Sequence, residues 1–234
     1  MNDKNKYDPP KSSSGDTALA VVRSGLGAIP IAGTAAIELL NVIVAPPLEK
    51  RRTKWMEDIG NALIELEEKM GLALESLQQN EVFIDVALEA TQLAIKTSNE
   101  EKRAALKNAI LNSALPTSPE ESLQKLFLSL IDTLTVWHLK LLELFNDPPK
   151  YIEKHNIRFT GYSMGAPSHL VENALPEMKG RRDLYDLIWK DLYSRALVNT
   201  EHLHVTMTGT GIIAKRTTEI ARLFLIYIKN PIEE

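Results

Sequence analysis

The chain has 234 residues, of which 44% are hydrophobic and none is cysteine, and its formal net charge is −4. This length and apolar content suffice for a buried core in one large domain or two small ones. The lack of cysteine excludes disulfides, thiolate metal ligands and a cysteine nucleophile, and the acidic balance argues against a general nucleic-acid binder.

The first 16 residues are polar and rich in lysine, aspartate, serine and proline. Such a composition cannot bury enough apolar surface to fold, so residues 1–16 are predicted to be a disordered tail. Aspartates accompany the lysines, and no small-residue cleavage site follows a clean apolar region, so the start does not resemble a signal peptide. We therefore expect a cytoplasmic protein.

Residues 17–47 form the most distinctive segment, an apolar stretch that glycine, proline and charge interrupt. A helix that crosses a bilayer needs roughly 20 uninterrupted apolar residues. The segment therefore predicts an apolar helical hairpin that bends between Ser24 and Thr34, around Pro30, rather than a transmembrane helix. Its second arm, about Thr34 to Ala45, would be roughly 18 Å long.

Cations follow this apolar segment directly. Beside an apolar hairpin, each can bind anionic headgroups with about 1 kcal/mol. The alternatives are that the cations are an ordinary solvated helix face and that the hairpin is the buried centre of a bundle. The predicted membrane or partner contacts are Ile29, Ile31, Ile37, Leu40, Val44, Lys50, Arg51, Arg52 and Lys54.

Residues 48–149 show helical periodicity and are predicted to form a helical bundle. Its expected helices are 48–69, 80–97 with Asn80 as N-cap, 101–115, 119–132 and 135–145. The pattern weakens over 150–180, which predicts a linker with short helical turns and a boundary between subdomains.

Residues 181–234 predict a winged-helix-like subdomain. The expected order is a helix over 181–197, a β-hairpin with strands 202–206 and 212–213, and a helix over 218–229 capped by Thr217. In such a module Lys215, Arg216 and Arg222 could contact nucleic-acid phosphates. A DNA-binding regulator is therefore an alternative function.

No residue pattern predicts catalysis or a cofactor. His202 and His204 would point to the same face of a strand, but no third ligand follows at a diagnostic spacing, so no metal site is predicted. The glycine-rich turn 208–211 lacks the lysine of a phosphate-binding loop, which favours a hairpin turn. The chain is expected not to be an enzyme.

Four stretches together resemble the abortive-infection alpha proteins, a family of helical bacterial proteins associated with phage defence. They are Pro46–Arg52, Leu126–Thr135, Leu192–Val198 and Thr217–Leu225. The resemblance supplies no catalytic residue, and it implies a non-enzymatic defence or effector role through membranes or another protein.

These observations predict a mainly α protein: a helical bundle with a glycine- and proline-broken N-terminal apolar hairpin and a C-terminal winged-helix-like subdomain. It would act by contact with a partner protein or a second copy of itself, or as a peripheral protein at the inner face of the membrane. Nucleic acid is a less favoured partner. A structural homo-oligomeric scaffold is the third alternative.

Overall fold

The computed structural model describes residues 34–158 and 163–233, with side chains from residue 43 onward. The predicted tail 1–16, the bend between residues 24 and 34, and Ile29 and Ile31 lie outside the described residues. Over the described part the protein is mainly helical, with one small two-stranded antiparallel sheet. The predicted fold class is confirmed at this level.

Two compact units make up the described chain. The N-terminal unit contains the described residues up to Glu121 and residues 230–233, and the C-terminal unit contains 122–229. The sequence had placed a boundary within 150–180, whereas the compact units divide between Glu121 and Ser122.

Helices of the N-terminal unit are α1 (Thr34–Met70), α2 (Leu74–Leu77), α3 (Glu81–Lys96) and α4 (Glu100–Ser113). Those that follow are α5 (Glu121–Thr133), α6 (Val136–Asn146), α7 (Pro148–Lys154), α8 (Pro167–Ala174), a 3₁₀ turn (Pro176–Met178), α9 (Arg182–Ser194), α10 (Gly209–Ile212) and α11 (Glu219–Tyr227). Strands β1 (Met164–Gly165) and β2 (Met207–Thr208) pair antiparallel.

Helix α1 is longer than the sequence predicted. We expected a helical piece to end near Ala45 and another to begin at Leu48, but α1 is continuous and contains Pro46 and Pro47. Each proline lacks the N–H that an interior helix position uses, which costs roughly 3 kcal/mol. Both prolines are exposed, and α1 nevertheless continues through them.

Side-chain caps fix the starts of α3 and α4. Asn80 accepts a hydrogen bond from the backbone N–H of Phe83 at 3.1 Å, which confirms the predicted cap of α3. Asn99 does the same for Lys102 at 2.8 Å, so α4 begins at Glu100. These caps orient two helices that pack against α1 and against each other.

An aliphatic cluster forms one part of the core of the N-terminal unit. Its buried residues come from α1, α2, the end of α4 and the residue after α4, and they are Ala62, Leu66, Leu74, Leu77, Leu111 and Ala114. Leu66 on α1 has no exposed surface. The second half of α1 is therefore held by a core, which positions the first half.

Aromatic side chains dominate the core of the C-terminal unit. The Phe127 ring on α5 lies 5.6 Å from that of Phe224 and 5.4 Å from that of Tyr227, both on α11. A second pair, Phe145 on α6 and Trp189 on α9, has ring centroids 4.8 Å apart. Tilted and edge-to-face contacts of this kind add to the burial of apolar area.

The predicted β-hairpin of the C-terminal subdomain is wrong. Strand β2 pairs with β1, in the register Met164 with Thr208, and residues 209–212 are a short helix instead of a hairpin turn. The physical reason is the Thr208 side chain, which accepts the N–H of Gly211 at 3.4 Å and so caps α10. The strand partner lies more than 40 positions upstream, where a local pattern cannot indicate it.

The cap of α11 is Thr218 rather than the predicted Thr217. Thr218 accepts the N–H of Ala221 at 3.4 Å and donates its hydroxyl to the carbonyl of Ala196 at 2.8 Å. Thr217 is buried and donates to the Asn146 side chain at 2.9 Å. Thr217 therefore bonds the last residue of α6 in the core, and Thr218 starts α11.

Candidate functional site: a basic groove below an exposed helix segment

Residues 43–54, the first part of α1 whose side chains the structure describes, contain no buried side chain. Ile43 is 57% exposed and Val44 is 37% exposed, and the first side chain of α1 that the structure shows as buried is Trp55. Twelve residues, 43–54, precede it and correspond to roughly 18 Å of helix. For Ile37 and Leu40 the structure gives the backbone of α1 alone.

The predicted cations all lie on this same helix. Lys50, Arg52 and Lys54 are exposed, and Arg51 is half-buried. The structure therefore brings four predicted cations and Val44 onto one continuous helix, with apolar residues before the cations.

A groove between α1 and α4 contains the half-buried Arg51. Its volume is about 130 Å³, and it is lined by Arg51, Lys54, Trp55, Asp58, Glu100, Arg103, Ala104 and Lys107. The lining residues lie at positions i, i+3, i+4 and i+7 of each helix. Residues at this spacing share one helix face, so each helix contributes one stripe to the basic groove.

Trp55 provides the apolar part of this basic groove. Its side chain is 4% exposed, and its indole Nε1 donates to the hydroxyl of Thr91 on α3 at 3.0 Å. Since the hydrogen bond and the packing both fix the ring, the neighbouring Arg51 and Lys54 project from a rigid turn of α1.

Positive charge predominates in the basic groove. Arg103 is paired with Glu100. With that pair set aside, Arg51, Lys54 and Lys107 face a single carboxylate, that of Asp58. None of the three cations forms an ion pair with any carboxylate whose side chain the structure describes. The groove is therefore a locally basic site on an acidic chain.

The α4 side of this groove is not among the residues predicted from the sequence. Arg51 and Lys54 are predicted contacts, whereas Arg103 and Lys107 are not. The signal was present as the spacing of Glu100, Arg103 and Lys107 on one helical stripe, yet the sequence did not indicate which helix that stripe would face. The pairing of α1 with α4 is a tertiary fact.

The predicted nucleic-acid contacts of the C-terminal unit have other roles. Arg216 is 6% exposed, and its Nη2 donates to the Gly211 carbonyl at 2.7 Å. Burial lowers the pKa of Arg216. Arg222 is paired with Glu219, with Nε donating at 2.8 Å, and Lys215 is exposed. The guanidinium of Arg216 is thus inside the fold, where a nucleic-acid phosphate does not reach it.

His202 and His204 are not brought together around a metal. His204 Nε2 lies 2.7 Å from Asp186 Oδ1, and His202 Nε2 lies 3.7 Å from Glu201 Oε1. No group of three or more histidine, aspartate or glutamate side chains suited to a metal ion occurs within residues 34–158 and 163–233. The His204–Asp186 contact instead holds the loop after α9 against α9.

A second, apolar groove lies between α6 and α9 in the C-terminal unit. It measures about 400 Å³ and is lined by Thr135, Trp137, His138, Leu184, Leu187, Ile188 and Asp191. His138 Nδ1 is 2.8 Å from the Thr135 hydroxyl and accepts the Thr135 N–H at 3.1 Å. These contacts close the first turn of α6, so Thr135 and His138 act here as a helix cap.

None of the helices in the described part of the chain is long and apolar enough to span a bilayer. No family model, no curated protein and no solved structure matches the chain. The resemblance to the abortive-infection alpha proteins therefore stays a prediction. The exposed segment of α1 and the basic groove are the features of the described chain that bear on its function.

Proposed function

We propose that this chain is a non-enzymatic protein that attaches to an anionic membrane surface through the apolar segment 17–47 and the cations of α1. The observation that carries the proposal is the order of side chains along one continuous helix. Exposed Ile43 and Val44 come first, and exposed Lys50, Arg52 and Lys54 follow within three turns. Apolar residues next to such cations suit an interface between hydrocarbon and anionic headgroups.

The expected strength of this attachment is modest. Three cations near an anionic surface contribute about 1 kcal/mol each, and salt screens that contribution. Apolar residues that enter the interface add about 25 cal/mol for each Å² removed from water. The two terms together favour reversible, peripheral binding. A partner protein that covers the same helix is the competing occupant.

The biological setting that we propose is a cytoplasmic protein recruited to the inner face of the membrane during phage defence. This setting rests on the family resemblance alone. Deleting the coding region in a defence-competent host and measuring phage plaque numbers tests it. Unchanged plaque numbers across a phage panel would contradict a defence role and would leave the membrane proposal to its own test.

Liposome flotation tests the membrane attachment. The full chain is mixed with vesicles of neutral lipid alone or with added phosphatidylserine, at low and at physiological salt. We expect flotation with the anionic vesicles and a clear loss when Lys50, Arg52 and Lys54 are all replaced by glutamate. The matched control replaces Lys179, Arg181 and Lys190, three exposed cations of the C-terminal unit, by glutamate.

Three results would overturn the attachment. The first is no flotation of the intact protein with any vesicle. The second is an equal loss in the test and control variants, which would indicate a general charge effect. The third is flotation that salt does not weaken and that the α1 variant retains, which would exclude the cations as the contact.

The sequence alternatives of a winged-helix DNA binder and a homo-oligomeric scaffold have less support. Arg216 is buried, and Arg222 is paired with Glu219, so Lys215 is the predicted phosphate contact left exposed without a described ion pair. A salt series of DNA binding would detect phosphate contacts as a log–log slope. Sedimentation across a concentration range would detect the scaffold.

A further inference from the structure

We propose that the basic groove between α1 and α4 binds a phosphate monoester group, presented by a lipid headgroup or by a free phosphate. The ligand class follows from the groove itself. The lipid source rests in addition on the membrane attachment proposed above. The residues assigned to the ligand are Arg51, Lys54 and Lys107.

The charge of the basic groove supports this ligand. Once the Arg103–Glu100 pair is set aside, three cations and one carboxylate remain, which leaves two positive charges uncompensated by the described groove residues. A phosphate monoester carries about −1.5 to −2 charges at neutral pH, so it matches that excess. A carboxylate or a phosphodiester brings one charge and matches it less well.

The chemical type of the donor groups in the basic groove also suits a phosphate. Arginine offers a planar fork of N–H donors that can bond two phosphate oxygens at once, and lysine offers a compact charge. Arg51 and Lys54 come from α1, whereas Lys107 comes from α4. Donors on two helices can contact different oxygens of one tetrahedral group, which a single helix face cannot do as well.

The volume of the basic groove is suitable for a phosphate group, and a buried side chain fixes the α1 side of the groove. One water molecule needs about 10–15 Å³ of accessible space, so a volume of about 130 Å³ admits a phosphate group together with some of its water. The buried Trp55, fixed by its hydrogen bond to Thr91, keeps the α1 side in place. A rigid site costs less entropy to organise when the ligand binds.

Position links the basic groove to a lipid source. Arg51 lies less than one helical turn beyond Leu48, which follows the exposed Ile43 and Val44. A headgroup held at Arg51 would therefore belong to a lipid whose chains lie near the apolar part of the same helix. This arrangement predicts a preference for lipids with an exposed phosphate monoester, such as phosphatidic acid.

The first experiment measures inorganic phosphate binding to the full chain by isothermal titration calorimetry at constant ionic strength, with chloride as the reference anion. We expect saturable binding, weakened about a hundredfold in Arg51→Gln/Lys107→Gln, because each of the two lost charge-assisted hydrogen bonds is worth about tenfold. The control is Lys179→Gln/Lys190→Gln in the C-terminal unit, which we expect to bind like the unmodified chain. Circular dichroism spectra and thermal melts establish that all variants fold.

The second experiment compares vesicles that contain phosphatidic acid with vesicles that contain phosphatidylglycerol, adjusted to equal surface potential. Preferential flotation with phosphatidic acid, lost in Arg51→Gln/Lys107→Gln, would identify a lipid as the source. Phosphate binding without that preference would identify free phosphate or a soluble monoester, and the groove assignment would stand.

Failure of the groove is distinguishable from failure of the membrane attachment. No saturable phosphate binding, or an equal loss in the control variant, would overturn the groove even if the protein still floats with anionic vesicles. Conversely, phosphate binding that depends on Arg51 and Lys107 in a protein that floats with no vesicle would overturn the membrane attachment alone.

Discussion

Polar side chains have different roles in the two compact units. In the C-terminal unit, two buried polar side chains bond groups of the same unit: Arg216 donates to the Gly211 carbonyl, and Tyr227 donates to Gln124 at 3.2 Å. In the N-terminal unit, Arg51 and Lys107 flank a groove without an ion pair to any described side chain. One unit uses polar groups to fix its structure, whereas the other leaves charges available at its surface.

This difference separates structural from functional charge. A buried polar group without a partner costs free energy, so most buried polar groups of a folded protein bond other groups of the fold. Cations around a solvent-accessible groove do not carry that cost, and they can remain uncompensated until a ligand arrives. Substitutions in the C-terminal unit should therefore reduce stability, and substitutions of the groove cations should reduce binding.

Phe127→Ala is the change from which we expect the largest effect. Phe127 has no exposed surface and contacts the Phe224 and Tyr227 rings, so its removal should lower the free energy of unfolding by about 3–5 kcal/mol. Urea denaturation measures this free energy of unfolding. The neighbouring Leu126→Ala, at a position 44% exposed, is the control. Equal losses would contradict the aromatic core as the source of stability.

Arg216→Ala tests the structural role of a buried charge. The variant leaves the Gly211 carbonyl without its donor and removes the packed stem, which should cost about 1–3 kcal/mol. Arg216→Met keeps the stem, so its loss should be smaller. The midpoints of urea denaturation compare the two variants with the unmodified chain. DNA binding, measured for the same variants, should not change. An Arg216→Ala variant as stable as the unmodified chain would contradict the structural role.

The raised pKa of Tyr185 predicts a fall in the stability of the protein at alkaline pH. Burial, assisted by the Glu172 carboxylate, raises the pKa of Tyr185 to about 12 from its ordinary value of 10.0. Between these values the unfolded chain loses the phenolic proton and the folded chain keeps it, so stability falls as pH rises. Tyr185→Phe should remove up to roughly 2 kcal/mol of that fall.

Urea titrations at several pH values from neutral to pH 12 measure this slope. The exposed Tyr193→Phe is the control and should follow the unmodified chain. If Tyr185→Phe shows the same alkaline fall as Tyr193→Phe, the buried tyrosine is not its source.

Lys107→Gln should have the smallest effect on stability. No ion pair is lost with any described carboxylate, and repulsion between neighbouring cations decreases, so the free energy of unfolding should change by less than about 0.5 kcal/mol. Lys69→Gln, which breaks the exposed Lys69–Glu65 pair, is the matched comparison. A large destabilisation by Lys107→Gln would assign Lys107 to the structure and remove the contrast between the two units.

Local signals in the sequence were sufficient where neighbouring residues decide the structure. Asn80 caps α3 as predicted, because a cap depends on backbone groups only three positions away. The alternation over 202–206 predicted a strand, but the strand of this region is Met207–Thr208, which pairs with residues far upstream that a local pattern does not indicate. The prolines of α1 misled because proline disfavours an interior helix position without excluding it, and α1 continues through Pro46 and Pro47.

The sequence by itself determined the mainly helical class, most helix positions in the bundle, and the row of cations behind an apolar segment. These follow from periodicity and composition, which act over a few residues. Only the tertiary structure decided that Arg216 is buried while Arg51 borders a groove, and that Arg103 and Lys107 face α1. Burial and the pairing of helices depend on contacts between distant parts of the chain, so a groove built by two helices cannot be found from either helix alone.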